Sequence, residues 1–218
     1  GLVGSEMCIR DRQAYLQMEV PGAPLFYGSL IAAVDMKSGA PAMGVPEVVT
    51  GAIAAGEIAR FYDMPYRTWL GSTSNTVDSQ AAYESMMSIM SAHMGGAHFV
   101  HHGHGWMQGG LTTSFEKAML DADLIQMYDA IRPTIDFSDA DEVIDAIAEV
   151  GAGGHFLGSS HTMSRYQTEF HTPELSDWSN YELWEEQGST RVIDRATHAW
   201  KELLSLIHIS EPTRPRLI

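Results

Sequence analysis

The side chains best suited to chemistry in this chain are the imidazoles and indole of one short run, HHGHGW, at residues 101–106. If that run is extended, His102 and His104 fall at alternate positions and face one side, as ligands of a single metal ion should. His101, His102 and His104 could then serve a metal-dependent hydrolase. The same rings could instead hydrogen-bond to one another in a crowded site. No carboxylate-containing ligand motif such as HExxH accompanies them, so no bound metal is expected. A second stretch, GAGGHFLGSSHTMSRYQTE at residues 151–169, places His155 and Phe156 behind three glycines. Glycine reaches backbone angles closed to other residues, so both rings can stand on a tight loop. His155 and His161 read as loop-stabilising or substrate-orienting groups, and His93 and His98 as structural ones.

Other candidates have plainer readings. Met86, Met87, Met90 and Met94 recur at helical spacing, as core packing alone would give. Asp35 could supply counter-charge to a ligand or pair with Lys37. Residues 39–44 form a glycine–proline turn without the GxGxxG or GxxxxGK spacing of a phosphate loop. Glu116, Lys117, Asp121 and Asp123 read as a solvated or oligomer-facing side of a helix.

Alternating elements must position these groups. An apolar run at 25–34 predicts a strand. Pro46 opens a helix that continues to about Tyr62 and must end before Pro65. A short strand is expected at 66–70, then a helix capped by Asp78 that runs to about His93. Residues 96–102 predict a strand, and Ser114 caps a helix to about Asp129. A weak strand at 133–137 precedes a helix at 139–150 capped by Ser138. The tail, 177–203, is helical with a break near Gly188. About four strand–helix units argue for a parallel α/β architecture.

Both ends carry an unusual signature. Residues 1–12 read GLVGSEMCIRDR and residues 204–218 read LSLIHISEPTRPRLI. Back-translation of Leu2 onward gives a DNA segment whose reverse complement encodes the sequence from Leu204 to the start of Arg214. Opposite strands of one segment at two termini resemble the transposase adapter of sequencing libraries. The expected organisation is therefore adapter at 1–12, a native domain at 13–203 and adapter at 204–218. On this view the chain is a gene fragment, and its only cysteine, Cys8, is foreign.

Composition narrows the function. The chain has 218 residues, 44% hydrophobic, and a formal charge of −15. That balance argues against a nucleic-acid partner and against an anionic membrane surface. No apolar run is long enough to span a bilayer. Without native cysteine, disulfides and zinc–thiolate chemistry are excluded within this stretch.

Four blocks, residues 22–41, 77–127, 151–169 and 175–189, match in order the trimethylamine methyltransferase family, the MttB-like group of corrinoid-dependent methyltransferases. The resemblance covers nearly all of residues 14–203. In family members that take trimethylamine, a pyrrolysine lies shortly before the segment matching Asp78-Ser79-Gln80-Ala81. Here residues 70–75 read LGSTSN, so the chain resembles a non-pyrrolysine member, of the kind acting on quaternary amines such as glycine betaine. The resemblance implies a TIM (β/α)8 barrel, of which this would be the C-terminal portion, about half, with C-terminal helices. A complete barrel needs about 250 residues.

It also implies a cytoplasmic enzyme of one-carbon metabolism or methanogenesis, homo-oligomeric at full length. The expected reaction moves a methyl group from a methylated amine to the Co(I) corrinoid (cobalamin) of a cognate partner protein. Barrel active sites lie at the C-terminal ends of strands, which selects Asp35 to Lys37, Ser72 to Asn75, His101 to Gln108, and Gly153 to Phe156. A quaternary ammonium is held by aromatic faces, with carboxylates nearby. Trp106 and Tyr27 are expected to cage it, although Trp106 could equally be core. His102, His104 and Asn75 are expected at the reacting substrate's polar end, with Asp35, Gln108, His155 and Phe156 around the mouth. A non-catalytic quaternary-amine binding protein is a further alternative.

Overall fold

The computed structural model describes residues 2–29, 31–131 and 137–207. Helix α1 (Leu2–Glu19) leads to β1 (Tyr27–Gly28), β2 (Ala33–Val34), β3 (Pro41–Ala42), α2 (Pro46–Phe61), β4 (Tyr66–Trp69) and α3 (Ser79–Gly95). There follow β5 (Phe99–His101), β6 (Trp106–Met107), β7 (Thr112–Thr113), α4 (Phe115–Asp129), α5 (Ala140–Val150), α6 (Ser160–Arg165), α7 (Tyr181–Glu186) and α8 (Val192–Ile207). Strands β1, β4 and β5 pair in parallel, in that order, with Tyr27 opposite Tyr66 and Trp69 opposite His101. Each parallel step is bridged by a helix, so the centre of the chain is a βαβαβ run. Hairpins β2–β3 and β6–β7 extend the loops after β1 and β5.

Local chemistry sets the helix ends. Pro46 supplies a fixed φ in the first turn of α2. Asp78 accepts from the Ala81 amide at 3.1 Å to start α3, and Gly96 closes it at φ 68°. Ser114 accepts from the Lys117 amide at 3.3 Å to start α4. The break in the tail falls at Gly188, φ 93°. These match the sequence expectation. The cap of α5 falls instead at Asp139, whose side chain makes no capping bond.

Two strand expectations change. The run at 25–34 is not one strand: the chain leaves the sheet after Gly28, and Ala33–Val34 pairs with Pro41–Ala42. Asp35 enforces the reversal, accepting from the Lys37 amide at 3.3 Å and the Ser38 amide at 3.0 Å. The strand expected at 133–137 lies mainly outside the described residues. Three parallel strands, not four, are therefore described, and they make a parallel α/β layer.

The helices cover one face of that layer. Tyr27 and Tyr66 are buried against Ala55 and Ala59 of α2, and the Tyr66 hydroxyl donates to the Ala52 carbonyl at 2.9 Å. Helices α2 and α3 cross very closely: a Cβ added at Gly56 would sit 2.0 Å from the Gly95 carbonyl oxygen. Only small side chains allow this approach. It explains why α3 buries Ala81, Ser85, Ser88, Ser91, Ala92 and Gly95, leaving Met86, Met87 and Met90 half-buried and Met94 exposed. The methionine stripe is a flank, not the core line that its spacing predicts.

Helix α4 also departs from expectation. Lys117, Asp121 and Asp123 are buried, not solvated. Lys117 and Asp121 pair within the helix, and Asp123 accepts from the Glu174 and Leu175 amides. Helix α8 packs on α4 through Leu120, Leu175 and Ala196. No helix among the described residues is long and apolar enough to cross a membrane.

Candidate functional site at the carboxyl edge of the sheet

Side chains alternate across the strands, so register decides which reach the face opposite the helices. Tyr66 and Thr68 are buried beneath the helices, and Tyr27, opposite Tyr66, shares that side. Arg67 and Trp69 point the other way, level with Phe99 and His101 of β5. Tyr27 is therefore not part of a cage with Trp106: at 1% exposure it belongs to the core under α2.

A cavity of about 480 Å³ lies on the opposite face. Its walls include Phe26, Ser29, Arg67, Trp69, His101 and His102, closed on one side by α1. The rings of β5 continue into a stack. His101 lies 3.5 Å from His102 between ring centroids, and His102 lies 3.7 Å from Trp106. The stack exists because the strand ends at His101 and His102 takes φ 57°. That left-handed residue folds the next ring back over the strand end. It also breaks the alternation that would have set His102 and His104 side by side, and His104 is an exposed turn residue.

Charge is arranged unusually in this cavity. The Arg67 guanidinium lies 2.5 Å from His101 Nδ1, and no Asp or Glu among the described residues lines the cavity. Burial lowers the His102 pKa, reinforced by the charges of His101 and Arg67, so its ring is held neutral. A guanidinium donating to His101 occupies the lone pair that a metal would need. Among the described residues, no three His, Cys, Asp or Glu side chains gather as a ligand set. The same-side pairing of His102 and His104 that the HHGH spacing suggested is not the geometry of this loop.

The loops carrying these rings are tied down by two buried carboxylates, Glu84 and Asp121. Glu84 accepts from Ser72 Oγ at 2.7 Å, the Thr73 amide at 2.6 Å, Thr73 Oγ1 at 2.9 Å and Gln80 Nε2 at 2.9 Å. Burial raises its pKa, but these donors outweigh burial and the net shift is downward. The serine–threonine run after β4 is thereby a cradle for Glu84. Asp121 plays the same part after β5, accepting from the Gly105 amide at 2.8 Å. The two loops also meet directly: the Gln108 amide donates to the Ser74 carbonyl and the Gly109 amide to the Ser72 carbonyl. Trp106 is seated on Gly110, where a Cβ would come within 2.8 Å of the indole.

The remaining expected residues are dispersed. Asn75 and Gln108 are exposed on the knitted loops. Asp35 is spent on its own turn, which lowers its pKa chiefly through the Ser38 hydroxyl. His155 and Phe156 follow α5 directly and end no described strand. Both are exposed, because the glycines of 151–154 form a turn instead of a strand end. Among the described residues no bond or ring contact joins them to the His102–Trp106 stack. Arg67 and Glu84 are what the sequence reading missed, and Asp121 is buried where a solvated helix side was expected. Alternation along 66–70 could have signalled Arg67, because it puts it on one face with Trp69.

Fold and site together define a parallel α/β protein with a cavity at the carboxyl edge of its strands, walled by rings and a guanidinium. The sequence model described as trimethylamine methyltransferase (MTTB) matches residues 12–213. A glycine betaine methyltransferase of Desulfitobacterium hafniense is 39% identical over 186 residues, 85% of this chain and 39% of that protein. A proline betaine:corrinoid methyltransferase of Eubacterium limosum is 35% identical over 70% of this chain and 32% of its own length. Trimethylamine methyltransferase MttB2 of Methanosarcina mazei is 30% identical over 86% of the chain and 38% of its own length. The chain thus spans well under half of these relatives, and it belongs to the trimethylamine methyltransferase family.

Proposed function

We propose that the protein bearing this chain is a methyltransferase that moves a methyl group from a quaternary amine of the betaine type, or from trimethylamine, to the Co(I) corrinoid of a cognate protein. We place the described layer within a (β/α)8 barrel, since its parallel strands are neighbours in chain order as a barrel requires. The supporting observation is a cavity walled by Trp69, His101 and His102, with Trp106 against His102 and no acid among its described lining residues. A quaternary ammonium has no N–H to donate, so electron-rich ring faces are the surface that suits it. A neutral His102 adds no repulsive charge to that surface.

The reaction asks little acid–base work of this chain. The nucleophile is supplied by the reduced corrinoid of the partner protein, and the C–N electron pair stays on the departing amine. A quaternary amine leaves as a neutral tertiary amine, so no general acid must protonate it; trimethylamine leaves neutral, as dimethylamine, only if it reacts as its protonated ammonium ion. The chain's residues have to strip water from the cation and aim one methyl outward. Phe26 and Phe99 remain exposed beside the stack, which leaves room for such an approach.

Alanine at Trp106 or Trp69 in the complete protein should raise the glycine betaine Kd by about tenfold or more, the upper range of a desolvated cation–π contact. An unchanged Kd in both rejects the ring surface. Methyl transfer to added cob(I)alamin separates an enzyme from a binding protein. Stoichiometric zinc or iron in the purified complete protein would favour the hydrolase alternative instead.

A further inference from the structure

We propose that Arg67 is a substrate-binding residue that grips the carboxylate of a zwitterionic methyl donor and so selects betaines over carboxylate-free amines. This rests on the betaine reading of the same cavity and deepens it. Arg67 is half-buried on the inward face of β4. Its side chain's only hydrogen bond among the described residues is to His101 Nδ1, and it has no carboxylate partner among them within ion-pairing distance. A half-buried guanidinium left without an anion is an open site for one, and its fork matches a carboxylate bidentately. Among the described residues the cavity offers no internal substitute, because none that lines it is acidic. Arg12 also lines it, but lies in the stretch read as adapter, so the native positive charge rests on Arg67.

The same lining disfavours a bare cation. A tetramethylammonium or trimethylammonium ion would meet ring faces and an uncompensated guanidinium together, and the guanidinium repels it. In a glycine-type betaine one methylene separates the two charges. The carboxylate can neutralise Arg67 while the ammonium rests on the adjoining His102 and Trp69 faces. His101 acts as the positioning residue, fixing the guanidinium at the strand edge from one ring nitrogen.

Calorimetric titration of the complete protein with glycine betaine and with tetramethylammonium tests this. Arg67→Gln should raise the betaine Kd about 100-fold, equivalent to about 2.7 kcal/mol, and leave tetramethylammonium binding unchanged or tighter. Arg67→Lys keeps the charge without the fork and should lose about tenfold for betaine alone. It carries the test if Arg67→Gln does not fold. Equal loss for both ligands, no loss for betaine, or wild-type protein binding tetramethylammonium as tightly as betaine overturns the proposal. Arg67-dependent betaine binding without methyl transfer to cob(I)alamin would sink the methyltransferase reading and leave the carboxylate grip standing. Transfer with unchanged KM in Arg67→Gln would do the reverse.

Discussion

Replacing Asp121 by alanine should destabilise the protein by about 4–6 kcal/mol. Lys117 and Asp121 are one turn apart on α4, 1% and 4% exposed. Lys117 Nζ lies 2.5 and 2.6 Å from the two carboxylate oxygens and donates to Ser85 Oγ at 2.6 Å. Asp121 Oδ2 also accepts from the Gly105 amide at 2.8 Å. Alanine therefore strands two donors at once. Leaving a buried charge without its partner costs about 3–5 kcal/mol, and an orphaned buried amide about 1–3 kcal/mol. The two share one cavity and one relaxation, so they do not add in full. Asp121→Asn keeps an acceptor for Gly105 and should fall between wild type and alanine. The double change Lys117→Met with Asp121→Leu removes both charges and should recover most of the loss. Urea unfolding of the complete protein, followed by near-ultraviolet circular dichroism, reads all of these. A loss below about 1 kcal/mol for Asp121→Ala, the worth of a surface pair, would refute the buried pair as an anchor of the Gly105 loop.

Two pH effects follow from the same geometry. Glu116 joins α4 to α8, accepting from Ser114 Oγ, Thr197 Oγ1 and Trp200 Nε1, and the Ser114 hydroxyl leads in holding its pKa at about 2. Because the folded carboxylate is depressed from 4.5, its contribution is present above that value and fades as pH falls toward about 2. Urea midpoints of Glu116→Gln should be lower than wild type at neutral pH and converge with it at the acid end. His102 is depressed from 6.5, first by burial and then by His101 and Arg67. Betaine affinity should be flat above that pH and weaken below it, as protonation charges the stack. Asparagine, which tolerates the positive φ of His102, should remove that step in a titration series.

The helices were legible because their signals are local. Pro46, Asp78, Ser114 and Gly188 each act on the few residues beside them, and the structure puts the boundaries there. The parallel order followed from strand–helix alternation. The strand at 25–34 misled because an apolar run does not say where it leaves a sheet; that is decided by Asp35 and its turn. The buried charges of α4 were read as solvated for a related reason. Lys117 and Asp121 look like any surface i,i+4 pair until Ser85, 32 positions away, and Gly105, 16 positions away, are brought against them. The HHGHGW run does lie at the end of a parallel strand, but its geometry differs from what its spacing predicts. A single positive φ at His102 turns a same-side histidine pair into a ring stack, and no spacing rule carries that information.

The distribution of acids ties fold to site. The chain carries a formal charge of −15, yet among the described residues the cavity has no acidic lining. The buried carboxylates Glu84, Asp121 and Asp123 all bind backbone amides. Each stabilises a loop or a docked segment instead of facing a ligand. An acidic exterior attracts cations at long range, whereas the guanidinium inside resists a lone cation at contact. A molecule carrying both charges gains from the outer field at its ammonium end and from Arg67 at its carboxylate end. On the proposed reading the two fields also set its direction: carboxylate inward on the sheet, quaternary nitrogen outward on the rings. That is the orientation that would present a methyl group to a docking partner, and it arises because the loop-anchoring acids are turned away from the cavity they support.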